Sequence, residues 1–440
     1  MKVTKKVMGF LLSAFMFIVV FAACLHYAGN ARDYYVDNPG IAGGRLDFKK
    51  TSMEKLIADY VNTGVEREIV VSGAGDLMFF EWQLERAYDE TSETFDFSKS
   101  FSYISKYMEN SDLVIGNLET TFAGKDNGKY KNFYGYGANV SDMNFNTPDE
   151  AATAIAQAGF DIVSTANEHA TDSGTEGLLR TLDTASAAGL TVVGTKKTAS
   201  DGGYAIVKKN GLNIGVAAYT AKAPALDEAS QGLVNVITDY SEEKLAAMCG
   251  DVAGMRKEGA EAVVVMLHFG ENYAEVPDDY QKNAAHKLIE AGADVVFGSH
   301  PHTLQPLEIY PVTESDNTVR NGVIIYSMGN FLSSQQYKGG TGNRDIGALF
   351  DVVFGKLGDK VRIKEIHVTP TYTNWTEDAI TVIPVCEAKD VPESFEGVLD
   401  KRASSRIHAA YETIIPSILA SSGVNYTYSD YKYKISLENS

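Results

Sequence analysis

Residues 69–76 read IVVSGAGD, a short apolar run that ends in a carboxylate. The same arrangement returns along the chain, where Val- and Ile-rich runs are followed by an amide, an acid or a histidine. Continuous apolar runs are typical of strands buried on both faces. The runs are IVVSGAG from 69, LVIGN from 113, FDIVSTAN from 160, LTVVGT from 190, AVVVMLHFG from 262, DVVFGSH from 294 and VIIYSMGNF from 323.

Amphipathic segments lie between these runs, and four of them end in glycine, a common helix stop. The alternation predicts an α/β fold. Asn210-Gly211 between two apolar runs predicts a hairpin, and the late runs GALFDVVFG and VRIKEIHVTP predict a second, more antiparallel sheet. The predicted helices are PDEAATAIAQAG from Pro148, TEGLLRTLDTASAAG from Thr175, SEEKLAAMCGDVAGMRKEG from Ser241, DDYQKNAAHKLIEAG from Asp278 and one near Lys401 to Leu419.

Polar side chains collect just after the carboxyl ends of six predicted strands. In open α/β sheets, ligands bind in the crevice beyond those ends. We therefore expect these side chains to share one rim. They are Asp76; Asn117 and Glu119; Asn167, Glu168 and His169; His268; His300 and His302; and Asn330.

Several of these residues are metal-ligand types. His300 and His302 flank Pro301, and two histidines in such a turn can point at one ion. With Asp76 and Glu119 they predict a site for Zn²⁺, Mn²⁺ or Fe, because the donors are nitrogen and oxygen without thiolate. The remaining histidines, His26, His286, His367 and His408, are interpreted as structural. Cys24, Cys249 and Cys386 are given no chemistry, although the last two could pair in an oxidising compartment.

The N-terminus predicts export. Lys2, Lys5 and Lys6 precede the uncharged run Val7 to Leu25, which is about the ~20 residues that span a bilayer. The lysines mark the cytoplasmic side. A retained signal anchor, a lipoprotein signal ending at Cys24 and a cleaved secretory signal are the alternatives. The expected domains are an anchor or signal over 1–30, a tether over 31–66, a main domain over 67–385 and an appended extension over 386–440.

The net charge of −19 argues against general nucleic-acid binding, which depends on neutralising phosphates. A grip on an anionic polymer would need a local basic patch. The chain contains no Gly-rich nucleotide loop and no G-x-S-x-G elbow.

Six motifs in order resemble those of the bacterial capsule and poly-γ-glutamate biosynthesis (CapA-type) family, from about Glu68 to about Thr369. The resemblance implies a four-layer α/β/β/α sandwich related to calcineurin-like metallophosphoesterases, with a two-metal centre and an N-terminal membrane anchor. It also implies a place on the outer membrane face, in synthesis or export of an anionic polymer. The motifs are GDLMF at 75, GNLET at 116, ANEHATDSGTEGL at 166, HFGENY at 268, GSHPHTLQP at 298 and YSMGNF at 326.

The resemblance also implies residue roles. Asn117 occupies the position of a bridging acid in relatives and is expected to be a ligand or a support for ligands. His169 is the expected general acid, and Asp76 is counted with it as catalytic. Asp172 is expected to cap the helix near Thr175, and Ser327 and Asn330 to shape the rim. The expected metal ligands are Asp76, Glu119, Glu168, His268, His300 and His302.

The chain departs from the family pattern at two positions and from that of the related phosphoesterases at a third. Glu168 stands where the family carries an amide, and Asn272 stands where it carries an acid. We therefore hypothesise that the two side chains share the site and have exchanged roles. Met78 occupies the position of a histidine ligand in phosphoesterases, and thioether is a poor ligand for a hard divalent ion. One of the two metal positions is therefore expected to be weaker or absent.

Three functions remain open from the sequence. The first is a metal-dependent hydrolase or transferase acting on a phosphoester, or on an acyl or amide bond of the polymer. The second is a non-catalytic, polymer-binding component that works with membrane synthase or export subunits. The third is an exported metallophosphatase unrelated to capsule.

Overall fold

The computed structural model describes residues 67–126, 129–130, 144–222, 226–238, 240–337, 342–358 and 360–437. The strands are β1 Arg67–Leu77, β2 Tyr88–Asp89, β3 Thr94–Phe95, β4 Leu113–Leu118, β5 Lys125–Asp126, β6 Lys129–Tyr130, β7 Ile162–Ser164, β8 Thr191–Val193, β9 Tyr204–Lys209, β10 Leu212–Thr220, β11 Ala262–His268, β12 Val295–Ser299, β13 Leu307–Thr313, β14 Val319–Ile325, β15 Asn330–Leu332, β16 Ile346–Leu357, β17 Lys360–Trp375, β18 Ile380–Pro384, β19 Thr427–Ser429 and β20 Lys432–Ser436. The α-helices are α1 Glu81–Ala87, α2 Ser98–Phe101, α3 Ser105–Met108, α4 Glu150–Ala158, α5 Gly174–Ala187, α6 Glu242–Lys257, α7 Asp279–Glu290, α8 Val385–Asp390, α9 Lys401–Ala409 and α10 Ile415–Ser421.

Two large sheets organise these elements. The first has the order β19-β20-β17-β16-β1-β4-β7-β8, with β15 added to β1 and β18 to β17, and the second has the order β13-β14-β12-β11-β10-β9. Strands β1, β4, β7 and β8 run parallel in the first sheet, as do β10, β11, β12 and β14 in the second. Each parallel group therefore directs its carboxyl ends to one edge of its sheet.

Three apolar clusters show how the layers pack. One lies between the sheets and joins Val71 of β1 to Phe297 of β12. A second covers the other face of the first sheet with helices such as α4, through Ile155. A third covers the second sheet with α6 and α7, through Met248. The arrangement is helix, sheet, sheet, helix, and the α/β class predicted from the sequence is confirmed.

Local sequence signals explain several elements. Asn210 and Gly211 both take positive φ, +45° and +81°, and join β9 to β10 as the predicted hairpin. Helices α4, α5, α6 and α7 occupy the predicted segments, and the glycine after each has positive φ. These are the conformations that Asn-Gly turns and glycine helix stops supply at low cost.

The prediction of a separate antiparallel sheet is wrong. Strand β16 pairs antiparallel with β1 from Arg67↔Lys356 to Ala74↔Leu349, and β17 pairs with β16. Both strands therefore extend the first sheet. The physical reason is that β4 satisfies only one side of β1, so the backbone groups on the other side need a second partner.

The C-terminal segment is likewise not an appendage. Strand β20 pairs with β17, and Tyr433 and Ile435 are buried. The predicted helix near Lys401 to Leu419 is α9 and α10 joined by a π-helical turn at Ala410–Ile414. The apolar run Val7 to Leu25 and the tether over 31–66 lie outside the described residues. Within the residues that are described, no helix has the length and apolar character needed to cross a membrane.

Candidate metal centre

The predicted rim residues of the two sheets converge. Asp76 lies near the end of β1, Asn117 in β4, and His268 ends β11. Histidine and carboxylate groups form three triads that share members. Within each triad, the potential metal-binding atoms lie within 4.8 Å of one another. The triads are Asp76, Glu119 and His302; Glu168, His268 and His300; and Glu119, Glu168 and His169.

The first triad joins β1 to the turn after β12. His302 Nδ1 lies 3.0 Å from Asp76 Oδ2 and 3.0 Å from Asn330 Oδ1. Both partners accept, so Nδ1 carries the hydrogen and Nε2 is left with its lone pair, as in carboxylate-supported histidine ligands. That Nε2 lies 3.8 Å from Glu119 Oε1. Asn330, expected to shape the rim, orients His302.

The second triad adjoins Glu119, whose Oε2 lies 3.9 Å from His268 Nδ1. His300 Nδ1 is 3.3 Å from Glu168 Oε1, and the rings of His268 and His300 stand 4.8 Å apart. Burial lowers the pKa of His268, and the neighbouring histidines lower it further. Burial also lowers the pKa of His300, against the opposing pull of Glu168. Both imidazoles are therefore held neutral, the form that binds metal.

The two acids of the cluster have opposite pKa shifts. Burial raises the pKa of Glu119, and the charges of Asp76 and Glu168 raise it further. Burial also raises the pKa of Glu168, but the hydrogen bond to His300 and the charges of His300, His169 and His302 outweigh it and hold the pKa at about 2. Glu119 is thus a fully buried acid whose ionisation its acidic neighbours oppose and a cation would favour.

The orphaned polar atoms fit a pair of divalent ions. Glu119 Oε1, His268 Nε2 and His300 Nε2 are buried without a hydrogen-bond partner. Buried polar groups are otherwise almost always satisfied, and a buried carboxylate without a partner is costly. The two triads offer nitrogen and oxygen donors. The donor chemistry therefore fits Zn²⁺, Mn²⁺ or Fe ions.

Asn117 lies at the centre of the cluster. Its Nδ2 donates to Asp76 Oδ1 at 2.8 Å and to Glu119 Oε2 at 3.0 Å, and lies 3.3 Å from His268 Nδ1. Its Oδ1 accepts from Asn167 Nδ2 at 3.2 Å. In this arrangement the Nδ2 of Asn117 fixes the carboxylates, and its Oδ1 keeps a second lone pair beside the bond from Asn167.

His169 and Asp172 form a dyad beside the cluster. His169 Nδ1 lies 2.8 Å from Asp172 Oδ2, which also accepts from the backbone N–H of Phe145 at 2.5 Å. Burial raises the pKa of Asp172, partly offset by His169. The expectation that Asp172 caps a helix is wrong, because α5 begins after Ser173 without a side-chain cap. Its carboxylate instead orients the expected general acid.

The turn that carries two of the histidines is strained. His300 and His302 have φ of +94° and +57°, values that favour glycine. Such backbone costs about 1–3 kcal/mol per residue and persists at functional sites where the surroundings enforce it. Neighbouring Tyr273, with φ +65°, donates its backbone N–H to Pro301 O at 2.8 Å. The fold thus holds both imidazoles toward the cluster against local preference.

The family departures occupy different environments. Met78 is buried and its sulfur accepts a hydrogen bond from Ser333 Oγ at 3.9 Å. Glu168 lies partly buried against His300, whereas Asn272 is exposed. The hypothesis that these two exchanged roles stays a prediction. Ser327 is buried near the rim and accepts from the Gly329 N–H at 3.3 Å.

Among the described residues, the other histidines and cysteines do not belong to the three triads. His286 pairs with Glu308 at 3.0 Å, and His367 pairs with Glu365 at 2.7 Å. Cys249 and Cys386 are both free thiols. Sequence reasoning missed the role of Asp172 and the aromatic–cation pair of Tyr273 and Arg344. The spacing His169-x-x-Asp172 is the one signal that could have pointed to the dyad.

Comparison with known proteins identifies the family. The sequence model of the family described as bacterial capsule synthesis protein PGA_cap matches residues 70–335. The chain belongs to this family. The matched segment contains Asp76, Glu119, His169, His268 and His302, the convergent rim described above. The resemblance seen in the six motifs is therefore confirmed.

Two curated relatives are similar to this PGA_cap member. The capsule biosynthesis protein CapA of Bacillus anthracis is 28% identical over 273 residues, 61% of this chain and 60% of that protein. The PGA biosynthesis protein CapA of Bacillus subtilis is 29% identical over 287 residues, 65% of this chain and 68% of that protein. The chain thus aligns with about three fifths of the first relative. The solved calcineurin-like phosphoesterase YfkN of B. subtilis matches 80% of this chain and 99% of that chain at 12% identity and a TM-score of 0.39, too low to support an argument.

Proposed function

We propose that this PGA_cap protein is an extracytoplasmic, membrane-anchored component of capsule or poly-γ-glutamate biosynthesis or export, and a metal-dependent hydrolase or transferase. The observation that carries the proposal is the pair of donor triads around Glu119, with orphaned buried atoms on Glu119, His268 and His300. Membership of a capsule-synthesis family supports the polymer, or its precursor, as the proposed substrate.

The ligands proposed for two divalent ions are the six side chains of the triads other than His169. When bound, such ions supply Lewis acidity and lower the pKa of a coordinated water. Glu119 lies 3.9 Å from His268 Nδ1 and 3.8 Å from His302 Nε2 and would help to hold the ions. Asn117 holds Asp76 and Glu119 in place. His302 is oriented by Asn330.

His169 is the proposed general acid. Asp172 engages Nδ1, so Nε2 is the nitrogen that can deliver a proton to a leaving oxygen or nitrogen. The ring of Phe145 packs edge-on against the imidazole at 4.6 Å and limits its rotation. His169 therefore has both a fixed tautomer and a fixed direction, the two requirements for positioned proton transfer.

Metal analysis tests the centre directly. The full-length protein, purified without chelators and dialysed, should retain close to two equivalents of Zn, Mn or Fe. His268→Ala should lose at least one equivalent. His286→Ala is the matched control, because its partner Glu308 lies outside the cluster. Equal metal content in wild type, His268→Ala and His286→Ala would refute the site.

A second candidate is a non-catalytic polymer-binding component. Met78 favours it, because this thioether stands where phosphoesterases carry a histidine ligand and accepts a hydrogen bond from Ser333. In the source cell, His169→Ala should abolish surface polymer while metal content is kept. Polymer made normally by His169→Ala, and lost only with the metal ligands, would instead support the binding role.

Localisation is tested separately. The basic cluster and the run Val7 to Leu25 predict that the full-length protein fractionates with membrane. Cys24→Ala separates the alternatives, because it mislocalises a lipoprotein and leaves a spanning helix unchanged. A soluble full-length protein in the cytoplasm would contradict the anchor.

A further inference from the structure

Arg344 lies at the rim of the metal centre. Its backbone carbonyl accepts from Asn330 Nδ2 at 2.9 Å, and Asn330 Oδ1 lies 3.0 Å from His302 Nδ1. The guanidinium carbon lies 4.5 Å from the centre of the Tyr273 ring. That ring is in turn 6.1 Å from the His302 ring. One aromatic ring therefore separates the arginine from a proposed ligand.

The Tyr273 ring beneath Arg344 and the segment that carries Arg344 are held by close packing. Gly342 has φ +58°, and a Cβ there would lie 2.5 Å from Thr303 Cγ2 and 3.2 Å from Tyr273 Cβ. The Tyr273 backbone is tied to Pro301. The segment carrying Arg344 thus packs directly on the His300–His302 turn, so the position of the cation depends on the fold of the site.

The charge of Arg344 is unused within the described part of the chain. No carboxylate there pairs with it, and its Nε is buried without a hydrogen-bond partner. The neighbouring acid, Asp345, is held by Arg406 through contacts of 2.7 and 2.8 Å. The other rim cation, Lys222, is paired with Glu271 at 2.9 Å. In a chain of net charge −19, an unpaired arginine beside a cluster of acids calls for an anionic partner.

We propose that Arg344, stacked on Tyr273, binds an anionic group of the substrate next to the reacting bond. The planar fork of arginine suits a carboxylate or a phosphate through two parallel hydrogen bonds. A glutamyl unit of an anionic polymer provides the first group and a phosphorylated precursor provides the second. The inference rests on the proposed function, because it assigns the substrate class of that metal centre.

Titration calorimetry on the Mn²⁺-loaded, full-length protein in detergent tests this assignment with two probes, tri-γ-glutamate and inorganic phosphate. Arg344→Gln should lower the affinity for whichever probe the wild type binds by roughly 10- to 100-fold. This is the loss in affinity expected when charge-assisted hydrogen bonds are removed. Arg344→Lys should lie between, because it keeps the charge and loses the fork. The control is Lys257→Gln, which removes an exposed charge at the opposite end of the second sheet, before β11 begins.

The outcomes separate cleanly. Weaker tri-γ-glutamate binding assigns a carboxylate, and weaker phosphate binding assigns a phosphate. Unchanged affinity in Arg344→Gln, or a wild type that holds metal and binds neither probe, overturns the inference and leaves the metal centre intact. Loss of metal from Arg344→Gln also overturns it, because the arginine would then support the centre. A wild type without metal refutes the proposed function instead. Arg344→Lys, with thermal unfolding by circular dichroism, keeps the test valid if Arg344→Gln does not fold.

Discussion

Several ionisable side chains of the centre are buried in surroundings that disfavour their charged forms. Asp76 and Glu119 are fully buried, and burial raises the pKa of Glu119. His268 is fully buried with a lowered pKa and an unpaired Nε2. A buried acid cluster of this kind destabilises the fold unless cations compensate it. Around it, Asn117 donates to Asp76 and Glu119, and Asp172 engages His169.

Asp172→Asn tests the dyad. The amide cannot hold His169 as the carboxylate does, so hydrolysis of a chromogenic phosphodiester should fall by about 100-fold or more, within the usual range for general acid catalysis. Metal content should stay at the wild-type level, since Asp172 is not a proposed ligand. Asp183→Asn, an exposed change on α5, is the control. If Asp172→Asn lost metal instead, the carboxylate would be supporting the ligands.

The proposed exchange between Glu168 and Asn272 is tested by a double-mutant cycle on metal retention. Glu168→Asn should weaken retention, because it removes a carboxylate 3.3 Å from His300. Asn272→Glu adds a negative charge and should tighten or distort the site. The double variant should return toward wild type if both side chains act on one site. Strictly additive effects after dialysis would mean that the two substitutions are independent.

Among the elements, the turn after β12 is the decisive one. It bends the chain over His300, Pro301 and His302 with two histidines at positive φ. Strand β15 supports it from the first sheet, since Asp76 and Asn330 are paired in register. The ligand turn of one sheet is therefore fixed by a strand of the other.

The strain of this turn predicts a reversal of the usual glycine effect. His300→Ala and His300→Gly both remove the imidazole, but glycine accepts φ +94° without strain. With metal removed by a chelator, the free energy of unfolding of His300→Gly should be about 1 kcal/mol higher than that of His300→Ala. At His286, inside α7, glycine should be less stable than alanine by a similar amount. Urea unfolding of the four variants measures this, and the same sign at both positions would exclude strain at His300.

At the scale of the whole molecule, the centre exists because two sheets pack face to face and bring their strand ends to one rim. The first sheet contributes Asp76 and Glu119, and the second contributes His268 and His302. The two inner faces pack so closely that a Cβ on Gly73 would lie 2.7 Å from the Phe297 ring. The C-terminal strands complete the first sheet at its far side, through β17 and β20.

Removing residues 425–440 tests that integration. The truncation deletes β19 and β20 and the buried side chains of Tyr433, Ile435 and Leu437. Each fully buried side chain contributes about 1.5–3 kcal/mol, so loss of the three should lower the free energy of unfolding by roughly 5–9 kcal/mol. Removing only residues 438–440 provides the control. An unchanged denaturation midpoint for the long truncation would show that the segment is dispensable.

The sequence by itself determined the local and periodic features of this protein. Continuous apolar runs defined the parallel strands, glycine defined the helix ends, and Asn210-Gly211 defined a hairpin, because each depends on neighbouring residues alone. The polar residues after the strands identified the rim, since parallel strands carry their carboxyl ends to one edge. The tertiary structure alone decided the rest. That β16 extends the first sheet, that Asp172 orients His169 and that Arg344 stacks on Tyr273 each depend on how distant segments pack. Such contacts leave no periodic signal in the chain, because the residues that make them are brought together only by folding.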